Sequence, residues 1–276
     1  MKRDRKHRYL LGIVVIAMGP QTRADEPVEW CQTYVNWAAN TGNQRATAQG
    51  ECPTEGTCDI RSVRDSWIPG PSTPIVHIRL RLHIFCNDDG TNCASSPSEV
   101  AAQMTQLNSD YAPYRIQFTG QSEYINASAY RNFLYTTHFG MKTTYADDPA
   151  HQINVYVVNV LVGFLGLGTF PWDPNALGNL GGIVMHQGVF GAGQKTLTHE
   201  VGHNLGLWHT HHGVSEVDQC SACWERADGV NGDTTGDFAS DTPPTPTNYA
   251  SCLDPTTNDP CRGKKGTFCF LTPASW

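Results

Sequence analysis

The sequence predicts an α+β fold, on the order and character of its periodic segments. Ile78, Leu80, Leu82 and Ile84 alternate with His77, Arg79, Arg81 and His83, the period of a half-buried strand. Residues 153–160 (INVYVVNV) are continuously apolar and β-branched, as in a central strand covered on both faces. Two segments with helical spacing, beginning near 97 and near 196, lie before and after that strand. The resulting order is strand, helix, three strands, helix.

Taken in order, residues 1–24 read as an export leader. Lys2, Arg3, Arg5, Lys6 and Arg8 precede an apolar run from Tyr9 to Met18, and Thr22-Arg23-Ala24 offers a small-x-small cleavage site. Ten apolar residues are too few to span a bilayer; an uncleaved membrane anchor is the alternative. The leader holds six of the 19 Lys+Arg and one of the 26 Asp+Glu. Its removal leaves a strongly acidic chain, which argues against nucleic acid or an anionic membrane as partner. Residues 25–72 are polar with scattered aromatics and end in Pro69-Gly70-Pro71-Ser72, which reads as an extension or propeptide joined by a linker to a domain over 73–276.

Ten cysteines in an exported chain point to disulfides. Cys52 and Cys58 close one short loop. Cys86 and Cys93 close another around Asn87-Asp88-Asp89-Gly90, a hairpin-turn sequence. The other six allow 15 connectivities by the general count for six cysteines. Cys220-x-x-Cys223 also reads as half a zinc site, without a second CxxC to complete it.

Ser96-Pro97-x-Glu99 is a capping box, and the helix after it carries Val100, Met104, Leu107 and Tyr111 on one stripe. Ile116 and Phe118 mark a second strand, and Gly182 to His186 a further one. On the second helix, His199 and His203 lie four residues apart, about 40° in azimuth and roughly 6 Å along the axis. Both imidazoles therefore face one side, as two ligands of one Zn²⁺ must. Glu200 stands beside them, placed to act as general base toward a water on that ion. Gly206 can adopt a left-handed conformation and end the helix, letting His209 swing in as third ligand. Leu197, Val201, Leu205 and Trp208 form a separate apolar stripe that anchors the helix. His211 and His212 are expected at the rim of the site or behind its ligands.

His199-Glu200-x-x-His203-x-x-Gly206-x-x-His209 is the metzincin signature of zinc endopeptidases. With Thr210 and Gly236-Asp237-x-x-x-Asp241-Thr242-Pro243 downstream, the chain resembles the pappalysin family of secreted metalloproteases. The resemblance implies a metzincin-like architecture: a mixed twisted sheet, a backing helix, an active-site helix and an irregular, disulfide-linked C-terminal part. It implies zinc, protein or peptide substrates, and an edge strand that aligns an extended substrate, which we expect at Gly181 to Gln187. It also implies calcium nearby, carried onto Asp237, Asp241 and Thr242; a solvated acidic loop is the alternative. The family continues to a Met-turn beneath the zinc. Here the methionines are 1, 18, 104, 141 and 185, so we expect a domain cut short at its C-terminus. Two alternatives stay open: an exported binding protein that keeps the zinc site without activity, and a metal-dependent hydrolase of non-peptide amides or esters.

Overall fold

A computed structural model describes residues 68–133, 137–160, 164–217, 223–225 and 231–239, together with two short strands over 256–258 and 265–267. The leader, the extension up to residue 67, Asp241, Thr242 and the cysteines at 31, 52, 58, 220, 252, 261 and 269 lie outside the described residues.

The sheet is mixed, as the resemblance implies. Strand β1 (Val76–Cys86) pairs in parallel with β2 (Ile116–Asn126) on one side and with β4 (Ile153–Val160) on the other. β6 (Ile183–His186) continues the parallel set beside β4, and β5 (Gly166–Leu167) closes the order antiparallel to β6. The two-residue β3 (Asn132–Phe133) also pairs with β4. This corrects the expected edge. Gly181 to Gln187 is interior, because β5 folds back along it and takes the outer position.

One face of the sheet packs on helix α1 (Pro97–Tyr111) and helix α4 (Thr196–Asn204). Leu80, Leu82, Ile84, Val155 and Val157 meet Val100, Leu107, Tyr111, Leu197 and Val201 in one buried cluster. The capping box forms at Ser96 and Glu99 as its spacing predicts, and Pro97 occupies the first turn. Three bonds then fix α4 against α1. Tyr111 donates to the Thr198 carbonyl at 3.0 Å, Thr198 donates to Asp110 at 2.6 Å, and Lys195 pairs with Asp110 at 3.2 Å.

The other face is also covered. Phe85, Phe133, Tyr156, Val158 and Met141 of helix α3 (His138–Tyr145) form a second cluster, next to the short α2 (Ser128–Arg131). This overturns the reading of β1 as solvated on one side. His77 is exposed, but His83 is fully buried: its ring stacks on Tyr156 at 4.8 Å, with Nδ1 against Glu123 at 2.6 Å and Nε2 against Asn154 at 2.8 Å. The 86–93 disulfide forms. Its Asn87–Gly90 turn joins β1 to a loop leading into α1 rather than to a hairpin partner.

Candidate metal centre

Helix α4 supplies His199, Glu200 and His203, and its ending places the third imidazole. Gly206 has φ +97°. Around it the Leu207 N–H bonds to the Gly202 carbonyl at 2.9 Å and the Gly206 N–H to the His203 carbonyl at 3.0 Å. These two bonds make a Schellman ending, which a left-handed residue after the cap permits. The turn aims the Leu207 carbonyl back at His203, whose Nδ1 donates to it at 2.7 Å. At the cap itself Leu205 is exposed, so the expected stripe stops at Val201. Trp208 is buried, but in a separate cluster with Phe170 and Phe238.

His199, His203 and His209 come together. The His203 Nε2 lies 3.0 Å from His199 Nε2 and 3.1 Å from His209 Nε2. Nitrogens held about 2.0–2.1 Å from a tetrahedral Zn²⁺ stand roughly 3.3 Å apart, so the spacing suits the ion closely. The protons decide what belongs there. His203 spends its N–H on Leu207, and His209 donates from Nδ1 to the acceptor-only carboxylate of Glu216 at 2.6 Å. Burial holds His203 down to about 3 and lowers His199 and His209 as well, so the rings are neutral. Two Nε2 lone pairs therefore face each other at 3.1 Å, an arrangement that a cation between them stabilises.

Glu200 is fully buried beside this cluster. Its carboxylate lies under the edge of the sheet, where Gly166 and Gly168 leave room: a Cβ on Gly166 would stand 2.6 Å from Glu200 Cγ and Cδ. Phe170 meets the His203 ring edge-on at 5.3 Å and Trp208 at 4.7 Å, forming an aromatic wall.

The sequence reading missed two carboxylates. Glu216 gathers three imidazoles, from His209, His212 (2.9 Å) and His211 (3.3 Å). These contacts pull Glu216 well below the usual carboxylate range against the opposing effect of burial. The other is Glu225, buried where Gly213 and Gly236 approach it closely. Burial, then the nearby Asp237 charge, push it up to about 9. Of the three expected calcium ligands, Asp237 is described, with Oδ1 accepting from the Ala239 N–H at 3.0 Å.

No family model matches the chain. It is 43% identical over 100 residues to pappalysin-1 of Homo sapiens, which is 35% of this chain and 6% of that protein. It is 30% identical over 182 residues to an extracellular metalloprotease of Pyricularia oryzae, 62% of this chain and 56% of that protein. Among solved structures it superposes on promirolysin of Tannerella forsythia with a TM-score of 0.55 at 17% identity, covering 87% of this chain and 84% of that one. Mature mirolysin with a cleaved peptide gives a TM-score of 0.51 at 21% identity, over 72% of this chain and 82% of that one.

In sequence the chain is similar to pappalysin-1 and to extracellular metalloproteases, and in fold it is similar to mirolysin. The chain spans little more than half the length of the Pyricularia oryzae relative and a small fraction of pappalysin-1. Its three imidazoles and neighbouring glutamate stand on the helix and the turn that the signature marks.

Proposed function

We propose that the chain is an exported zinc endopeptidase that hydrolyses peptide bonds in protein or peptide substrates. The observation that carries this reading is the pair of Nε2 lone pairs, on His203 and His209, facing each other next to a buried carboxylate. His199, His203 and His209 would hold Zn²⁺. When bound, the ion acidifies a water molecule and polarises a carbonyl oxygen. Glu200 is the general base: a carboxylate oxygen takes the water's proton and later delivers it to the departing amine. The β5 edge offers main-chain groups to an extended substrate, in place of the expected Gly181 to Gln187. Export would use the leader over 1–24, with an extension over 25–72 before the catalytic domain over 73–276. The names of two relatives, extracellular metalloproteases, support export.

We also propose Ca²⁺ as a second ion, with Asp237, Asp241 and Thr242 among its ligands. Glu225 supports this: buried beside Asp237, its two carboxylate oxygens accept no hydrogen bond among the described residues. A cation satisfies such a group.

The test is casein hydrolysis by the purified chain, with and without a zinc chelator, beside Glu200→Gln. We expect cleavage that the chelator abolishes and added Zn²⁺ restores, and a loss in kcat of about 10²-fold or more for Glu200→Gln, the range for a lost general base. A wild type that holds zinc yet cleaves nothing would establish the binding-protein alternative. Turnover of small esters or amides without casein would establish the other.

A further inference from the structure

We propose that Glu216 is the positioning residue of the third imidazole: its carboxylate holds the His209 ring with Nε2 turned toward His199 and His203. The inference rests on the zinc-site reading above.

His199 and His203 are fixed by α4, and His203 again by the Leu207 carbonyl. His209 lies beyond the helix, on a turn that leaves its ring direction to be set by side-chain contacts. Glu216 Oε1 accepts from His209 Nδ1 at 2.6 Å, which assigns the proton to Nδ1 and the lone pair to Nε2. The carboxylate is itself held. Helix α5 (His212–Ser215) brings His212 and Glu216 one turn apart, and His212 Nδ1 donates to Oε2 at 2.9 Å. The His212 ring stacks on Trp208 at 4.1 Å, and Trp208 packs on Phe170, which touches His203. Contacts thus run from one proposed ligand round to another. His211 Nε2, 3.3 Å from Oε1, adds a further donor. A buried negative charge behind the third ligand also offsets the double charge of the ion.

The experiment measures the Zn²⁺ dissociation constant of the full chain against a chromophoric chelator, and the visible spectrum of its Co²⁺ form. Glu216→Gln should weaken Zn²⁺ by about 10–100-fold, the usual effect of removing such a carboxylate, and alter the Co²⁺ bands. Should that variant fail to fold, His212→Phe keeps the stack on Trp208 while freeing Oε2. Its expected effect is a loss of roughly severalfold with the same spectral change. Zn²⁺ affinity and Co²⁺ bands equal to wild type in a folded variant overturn the assignment, even if its melting temperature falls. A wild-type chain without Zn²⁺ affinity overturns the zinc reading, and this inference with it.

Discussion

A methyl group at position 166 would press on the Glu200 carboxylate, so glycine there gives the proposed base its place. Gly166→Ala should therefore lower kcat by about 10-fold or more, since displacing a reacting group by an ångström costs on the order of 10²-fold, while bound zinc stays at the wild-type level. Peptide hydrolysis and metal analysis on one preparation check this; unchanged kcat would refute it. At this scale the sequence shows some residues and hides others. His199, Glu200, His203, Gly206 and His209 were legible because helical period and a helix-ending glycine are local rules. Gly166 and Glu216 were not. Gly166 meets Glu200 only once β5 has folded back across the sheet, and Glu216 meets three histidines only once the turn after α4 is made.

Among elements, α1, β1, β2, β4 and α4 follow from periodicity and capping, and the structure reproduces them. The segment from 128 to 145 escaped notice because its periodicity is weak, yet α3 packs Met141 into the cluster on the second face of the sheet and buries Lys142. That ammonium group donates to the Leu180 carbonyl at 3.1 Å, inside the loop between β5 and β6. Burial lowers it from 10.5 to about 7, with Asp173 opposing. Between those values the unfolded chain binds the proton and the folded chain does not, so this group's contribution makes stability rise with pH from about 7 to about 10.5. Lys142→Met should show a flatter dependence of melting temperature on pH in that window than wild type. Parallel calorimetric curves for the two would disprove it. The misplaced edge has a related cause: β5 is a glycine-containing strand of two residues, without the alternation that announces a longer one.

Over the whole molecule, the irregular C-terminal part is legible as composition but not as geometry. Cys223 is disulfide-bonded and β7 (Thr256–Asn258) pairs antiparallel with β8 (Lys265–Thr267), features no local pattern specified. Glu225 is the group there with a global readout. Its value is raised from 4.5 to about 9, so its stabilising contribution is complete below about 4.5 and is lost as pH rises through about 9. Ca²⁺ should reverse that trend by favouring the ionised form. For zinc-loaded protein in calcium-free buffer, we expect wild type to lose melting temperature relative to Glu225→Gln between pH 5 and 9. Added Ca²⁺ should raise the wild type more at pH 8 than at pH 5. An equal response at both pH values would count against calcium at this carboxylate.

The brevity of β5 bears on association as well as on catalysis. Two residues offer a foreign strand too few amide and carbonyl groups for extended pairing between copies, the hazard of long exposed borders. A guest peptide meets the same scarcity. Under the proposed function, its backbone would gain a rung or two along this border, leaving the rest of its binding to side-chain contacts.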